Sequence, residues 1–343
     1  MMLKTYFASS ADMPVNISTV EPGSLYHSAP WHQVLAEGFN VEVSHLVTEL
    51  DGRVVALTPL FLKRRYGFSL CGSPLKGLFT EFAGPRFDYQ LPVNDRAAVV
   101  ENQISVLRNK GYSYIEIGTK ADGTTDGGCI FSSMRSHDFA YQPRPSLVVD
   151  LTKGLAQVWA SFESRARNMI RKSEKKGVTV QVESLVPQQV LGEYVAMIKA
   201  TFKHQGLAMP HPFSTYIALV RNLEPINRLM FVAARYEGRL VSGGIFLVEA
   251  NRMVFHSGSS TPEGLTLAAS SLVQWKAMQE GYGRGVQEYD LGGIGVNSID
   301  AFKKSFGGTP TSHHRWVYSS ALIKRGAGLA HWLATKGLLR VFK

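Results

Sequence analysis

The chain has 343 residues and a formal net charge of +10. This length leads us to expect two domains of about 150 residues each. The hydrophobic content of 45% and the charged content of 19% are those of an ordinary globular protein, and no run of about 18 apolar residues could span a bilayer. The first residues also lack the apolar core of a signal peptide. The sequence therefore argues against a secreted or an integral membrane protein.

The cysteine content and the motifs narrow the class further. Cys71 and Cys129 are the only cysteines, too few for a disulfide framework and consistent with a reducing compartment. Neither a CxxC nor an HExxH spacing occurs, so we expect no metal site. We therefore expect a cytoplasmic protein.

The positive charge is concentrated in two segments. Residues 165–176 contain six bases and one acid, and residues 301–343 contain eight bases and no acid. Such clusters predict a polyanionic partner, namely tRNA, nucleotide phosphates or an anionic membrane face. A basic surface that serves only solubility remains the alternative.

The first half of the chain reads as mixed strand and helix. Residues 45–49 and 54–61 have strand character on either side of an Asp-Gly turn, which is a hairpin signal. Residues 95–110 have helical spacing and end at a glycine before the next strand. The Pro-Arg-Pro run at 143–145 marks a domain boundary, so we assign residues 1–145 to a first domain.

The second half repeats this plan. Strand, acid-Gly-Arg turn and strand occur at residues 229–248 in the same order as at 46–61, and a helix that ends at Gly-Tyr precedes a further strand in both halves. The two correspondences favour a duplicated α/β unit. The second domain is predicted at 146–316.

A basic segment opens the second half. Its apolar residues fall within about 100° of one another on a helix, which predicts one continuous helix that is anchored by one face. These apolar residues are Trp159, Phe162, Ala166, Met169 and Ile170. The bases flank the stripe, and we name four of them as candidates for binding phosphate: Arg165, Arg167, Arg171 and Lys172.

The most informative stretch is 289–308. A buried strand carries Asp290 and ends in Gly292-Gly293, where the missing Cβ atoms let a ligand approach the backbone. A short helix follows, with Phe302 and Phe306 on its packing edge. The structural alternative is an ordinary strand, turn and helix with solvated lysines.

This stretch and the basic segment carry a resemblance to a known family. The run D-L-G-G-I, followed after about ten residues by F-K-x-x-F-G, resembles the Fem family of peptidoglycan peptidyltransferases, and so does R-x-R-N-x-I-R-K ending at K-G-V. The resemblance extends over nearly the whole chain. It implies an α/β (α+β) fold of two tandem GNAT-like acyltransferase domains without a long coiled-coil arm. It also implies that residues 317–343 return to the first domain.

The resemblance implies an activity. Fem-like enzymes move an amino acid from aminoacyl-tRNA onto an amine of a cell-wall precursor, so no further cofactor is expected. Such a transfer needs a held ester carbonyl and a positive charge opposite the developing oxyanion. We assign the positive charge to Lys303, its positioning to Phe302, and the cleft wall to Asp290, Gly292 and Gly293. His204 is a further candidate for lining a pocket.

Two alternatives stay open. The first is an N-acyltransferase that uses acyl-CoA, although the loop at 261–267 has one glycine, and Glu263 in it would repel a pyrophosphate. The second is a non-catalytic module that binds tRNA or anionic lipid through its basic clusters. Gln33, Leu35, Leu265 and Leu267 depart from the family pattern and put the usual UDP-linked acceptor in doubt. A lipid-linked acceptor would make contact between the basic tail and an anionic membrane useful.

Overall fold

The computed structural model describes residues 2–13, 20, 23–120, 126–183, 185–209, 211–295 and 297–325. In chain order the strands are β1 (Leu3–Ala8), β2 (Glu42–Leu50), β3 (Arg53–Arg65), β4 (Phe68–Ser73), β5 (Arg86–Phe87), β6 (Tyr114–Thr119), β7 (Ala140–Tyr141), β8 (Arg144–Asp150), β9 (Thr179–Glu183), β10 (Leu229–Tyr236), β11 (Arg239–Val248), β12 (Arg252–Ser260), β13 (Glu288–Gly293) and β14 (Thr309–Ser319). The helices are α1 (Ala29–Phe39), α2 (Val93–Asn109), α3 (Asp126–Ser136), α4 (Leu155–Ser161), α5 (Ser164–Lys175), α6 (Gln188–His204), α7 (Phe213–Leu223), α8 (Pro262–Thr266), α9 (Ala269–Gly283) and α10 (Asn297–Lys304).

The chain divides into two compact units. The first contains residues 1–32 and 40–143 and the chain from 312 onward, and the second contains residues 33–39 and 144–311. The longest helices of the described chain, α2 and α6, have 17 residues each. The described residues therefore contain no long coiled-coil arm. Among them, no helix is both long enough and apolar enough to cross a membrane.

In the first unit the strands pair in the order β1-β2-β3-β4-β6, with β14 against the far side of β6. The pairs are antiparallel except β4 with β6, which is parallel. Helices α2 and α3 contribute Ile104, Leu107 and Met134 to a core that also contains Ile115 of β6 and Trp316 of β14. Burial of these apolar side chains is the main stabilising term for such a unit.

The second unit repeats the pairing. Its order is β9-β10-β11-β12-β13, with β8 against the far side of β13, and β12 with β13 is the parallel pair. The hairpin turns also correspond, because Asp51-Gly52 has φ of 50° and 84° and Glu237-Gly238 has φ of 50° and 79°. Two consecutive positive φ angles are what a two-residue hairpin turn requires. The duplicated α/β fold that the sequence predicts is confirmed.

The prediction of one continuous helix through Trp159 and Lys176 was wrong. Phe162 has ψ of 145° and ends α4, and α5 begins at Ser164. Two contacts from outside the segment hold the break: the N–H of Glu163 donates to the carbonyl of Ser305 at 2.9 Å, and the Phe162 ring packs edge-on against Phe306 at 5.2 Å. The apolar stripe continues across the break, so its spacing alone could not reveal it.

Most of the basic tail lies outside the described residues, which end at Arg325. Lys324 and Arg325 are exposed. Contact of the tail with an anionic membrane stays a prediction.

Candidate active site

The candidate site lies in the second unit, where β12 and β13 stop pairing. Their parallel ladder runs from Arg252 opposite Glu288 to Val254 opposite Asp290. Beyond it, β12 stays paired with β11 to Ser260, with a bulge opposite Ile245 and Phe246. Strand β13 ends at Gly293, one residue after Gly292, whose φ of 77° lies in the left-handed region. From Phe255 onward β12 has no backbone pairing with β13 in the described chain, and we call this unpaired stretch the gap between the two strands.

Lys303 lies beside this gap. It is 7% exposed, and its Nζ donates to the carbonyl oxygen of Gly293 at 2.7 Å. A Cβ atom built on Gly292 would lie 3.4 Å from that Nζ and 3.2 Å from the carbonyl oxygen of Phe255. The positive φ and this close approach together explain why a glycine occupies the position. The structure thus brings together Lys303, Gly292 and Gly293, as the sequence predicts.

Aromatic packing fixes the helix that carries Lys303. The half-buried Phe302 packs edge-on against Phe306 at 5.1 Å, and Phe306 is fully buried. Edge-to-face ring pairs of this kind add about 0.5–1.5 kcal/mol beyond the area that they bury. Phe302 therefore positions its neighbour Lys303 through the helix, while Lys304 is exposed.

Asp290 lies behind the glycine turn. It is 1% exposed and forms an ion pair with Arg252 at 2.6 Å. Its carboxylate also accepts hydrogen bonds from the hydroxyl of Ser146 and, at 2.7 Å, from the N–H of Gly292. This burial corrects the prediction that the Asp290 carboxylate lines the cleft wall. The Asp290 carboxylate accepts a hydrogen bond from the Gly292 amide, and it therefore fixes the turn whose Gly293 carbonyl accepts a hydrogen bond from Lys303.

Arg252 and Ser146 are functional neighbours that the sequence analysis missed. Arg252 is 3% exposed and comes directly before the apolar run at 253–255, and an arginine in that place could have indicated a buried partner. Ser146 carries no comparable signal. The adjacent Tyr289 is not a base, since burial, and secondarily the nearby Asp290, raises the pKa of its phenol well above the usual value.

The six bases of the α5 segment divide into two groups. Arg167 donates to the carbonyls of Ala160 at 3.2 Å and of Phe162, and so caps the end of α4. Arg171 lies over the ring of Trp159 at 5.4 Å. Both of these phosphate candidates therefore hold local structure. The other four are exposed and have no ion-pair partner in the described part of the chain: Arg165, Lys172, Lys175 and Lys176.

Helix α5 holds these four free cations in place. Its Ala166, Ile170 and Ser173 are buried, and α5 packs along α9. The free cations therefore share a rigid surface that can take several phosphate oxygens. His204 is the exposed last residue of α6.

The loop that would hold a coenzyme A pyrophosphate contains a short helix instead. Thr261 caps α8, and its Oγ1 accepts the N–H of Gly264 at 3.0 Å. A Cβ atom on Gly264 would lie 2.1 Å from the carbonyl oxygen of Val241, so this glycine serves close packing against β11. The amide of Gly264 is therefore occupied, and Glu263 beside it pairs with Arg239 at 3.1 Å.

Comparisons with known proteins place the second unit among acyltransferase-like domains by similarity. Residues 160–304 match the family model described as "Acetyltransferase (GNAT) domain". The chain is 27% identical over 161 residues to a UDP-N-acetylmuramoylpentapeptide-lysine N(6)-alanyltransferase of Weissella viridescens. That alignment covers 46% of this chain and 46% of the relative, so the chain matches about half of the relative's length.

Solved structures show the same fold along most of the chain. The crystal structure of FemX has a TM-score of 0.66 at 15% identity, over 85% of this chain and 92% of that one. A tandem GNAT protein from the clavulanic acid biosynthesis pathway has a TM-score of 0.55 at 10% identity, over 92% and 98%. The predicted fold of tandem GNAT-like domains is confirmed, and so is the predicted resemblance to Fem-type aminoacyltransferases.

Proposed function

We propose that this chain transfers an aminoacyl group from aminoacyl-tRNA to an amine of a cell-wall or envelope precursor. The observation that carries the proposal is the buried ammonium of Lys303, held at the Gly292-Gly293 turn beside the gap between β12 and β13. The alanyltransferase that the chain resembles supports it, since its name describes transfer to a lysine N(6) of a muramoyl pentapeptide.

The reaction needs no group beyond the two substrates. The acceptor nitrogen attacks the ester carbonyl carbon, a C–N bond forms, and the C–O bond to the tRNA ribose breaks. The proton lost by the nitrogen ends on the ribose oxygen. Negative charge develops on the carbonyl oxygen, and an ammonium in a poorly solvated gap stabilises it far better than one in water. Lys303 supplies that charge, and the missing side chain of Gly292 lets its Nζ lie close to the turn.

The free cations of α5 support a tRNA donor. A variant in which alanine replaces Lys172, Lys175 and Lys176 together should bind tRNA more weakly. Its affinity should also depend less steeply on salt: the slope of log affinity against log salt concentration should fall by about one unit per lost phosphate contact. Filter binding at several salt concentrations measures both quantities. The matched control is the double variant Lys199→Ala with Lys203→Ala, which removes two exposed lysines of α6. An unchanged slope in the α5 variant would assign these lysines to solubility alone.

Acyl-CoA is the second candidate donor, favoured by the GNAT family match. The amide of Gly264 speaks against it, because it already donates to Thr261. Titration calorimetry should therefore show no binding of acetyl-CoA tighter than roughly 1 mM, a free energy of about −4 kcal/mol. Micromolar binding would replace tRNA with acyl-CoA as the proposed donor.

The acceptor and the cellular location belong to the same proposal. A lipid-linked precursor would place the chain at the inner face of a membrane, where each exposed base contributes about 1 kcal/mol of attraction to anionic lipid. A non-catalytic module that binds tRNA or lipid would use α5 in the same way. It would not need a buried lysine beside a glycine turn.

Mass spectrometry of envelope precursors from a deletion strain tests the function. We expect precursors that lack one aminoacyl group, restored by the wild-type gene and not by a Lys303→Ala gene. Precursors identical with those of the parent strain would contradict the proposal.

A further inference from the structure

One edge of the second unit's sheet is open. Strand β9 pairs with β10 in continuous register from Thr179 opposite Arg235 to Glu183 opposite Phe231. It ends the order of strands, and its other side has no strand partner in the described chain. No proline or bulge interrupts it. Such an edge presents backbone N–H and C=O groups on which another strand can pair.

A groove runs beside this edge. It has a volume of about 380 Å³ and lies between β9 and α9, lined by Val180, Gln181, Val182, Lys276, Glu280 and Arg284. Val180 and Val182 are half-buried and pack against the core of the unit. The groove therefore has an apolar floor at β9 and a charged rim on α9. A strand laid along β9 would direct alternate side chains into it.

The rim carries a net positive charge. Arg284 is paired with Glu280 at 3.1 Å, and Lys276 has no ion-pair partner among the described residues. Lys175 and Lys176 stand exposed just before the strand. Glu183, at the other end of β9, is neutralised by Arg235 at 2.7 Å. The charge favours an acidic occupant.

A second copy of this chain fits poorly. A symmetric pairing of β9 with itself is antiparallel, so Lys175 and Lys176 of each copy would approach Glu183 of the other, a carboxylate that Arg235 already neutralises. Glu280 on the rim is likewise paired with Arg284, so a second copy offers the Lys276 rim no unpaired carboxylate of this surface. The occupant is therefore a different chain with the opposite charge.

We propose that the open edge of β9 and its groove bind an extended acidic segment of another protein by strand addition. Main-chain hydrogen bonds to β9 would supply affinity, and the valine floor and lysine rim would supply selectivity. This surface contains neither Lys303 nor the glycine turn, and it meets the proposed tRNA surface only at Lys175 and Lys176.

A defined peptide tests the proposal. The probe is a synthetic peptide of about ten residues in which glutamate alternates with valine, long enough to cover a strand of ordinary length. A peptide of equal charge with proline in place of every second valine is the control, because proline cannot continue a strand ladder. We expect the first peptide to bind with a micromolar dissociation constant and to slow amide hydrogen exchange in residues 179–183.

A charge variant separates this groove from the rest of the surface. Lys276→Glu should weaken binding of the glutamate–valine peptide about tenfold or more, about 1.4 kcal/mol, whereas Lys199→Glu on α6 should leave it unchanged. Three results would overturn the proposal: equal binding of the two peptides, binding no tighter than millimolar, or protection outside β9. Protection of 179–183 that rises with protein concentration without peptide would also overturn it, in favour of self-association.

Discussion

Changing Lys303 to alanine is expected to lower the rate of aminoacyl transfer by a factor of about 10²–10³, the usual loss on removing one preorganised electrostatic stabiliser. The reason is geometric. The Nζ of Lys303 lies at the Gly293 carbonyl beside the gap between β12 and β13, where the ester carbonyl would develop negative charge. The loss should appear in kcat, since the interaction is made in the transition state.

Lys304→Ala is the matched control for this change. Lys304 is the next residue of the same helix and is exposed, so its loss should leave turnover within about twofold, in keeping with the small effects of exposed substitutions. Circular dichroism and thermal unfolding should show that both variants fold. Near-normal turnover of the Lys303 variant would remove it from the proposed site, and an equal loss in both variants would point to general surface charge.

Changing Asp290 to alanine is expected to destabilise the second unit by about 3–5 kcal/mol. The substitution leaves Arg252 buried without its carboxylate, and it also frees the Ser146 hydroxyl and the Gly292 amide. Urea unfolding of the purified variant measures the loss as a lower midpoint at an unchanged slope.

An exposed ion pair of the same unit provides the comparison. Glu263 pairs with Arg239 at 3.1 Å, with both side chains well exposed, so Glu263→Ala should cost less than about 1 kcal/mol. If Asp290→Ala were as stable as this control but inactive, Asp290 would act in the reaction and not in holding the turn.

The fold could be predicted because its signals are local. The turns at Asp51-Gly52 and Glu237-Gly238 show where each hairpin reverses, since few residue types accept two positive φ angles in succession. The order of strand, turn, strand and helix then repeats in the second half. This repetition favours a duplicated unit, and the matching strand orders of the two units confirm it.

The failures of prediction come from contacts between residues that are distant in sequence. Helix α4 ends at Phe162 because the N–H of the next residue donates a hydrogen bond to the carbonyl of Ser305. Residues 155–175 alone give no sign of this hydrogen bond, since its acceptor lies far along the chain. Asp290 is buried because Arg252 lies beside it on the neighbouring strand, 38 residues away. A carboxylate beside two glycines gives the same pattern whether it faces a ligand or a buried arginine.

The glycines and Lys303 were predictable for the opposite reason. Gly292 is confined to glycine by its own backbone angle and by the close approach of the Phe255 carbonyl. Phe302 and Phe306 are one helical turn apart, so their spacing shows which face of α10 is anchored. The partition of the α5 bases was not predictable, because the carbonyls that engage Arg167 become available only at the unforeseen end of α4.

The most direct test of the central claim is a transfer assay with purified protein. Aminoacyl-tRNA, labelled in its amino acid, is mixed with a UDP-linked muramoyl pentapeptide or its lipid-linked form, and the acceptor is analysed by mass spectrometry. Aminoacyl-tRNA should yield an acceptor heavier by one aminoacyl group, while acetyl-CoA should yield no product. An acceptor that gains an acetyl group from acetyl-CoA and nothing from aminoacyl-tRNA would contradict the account.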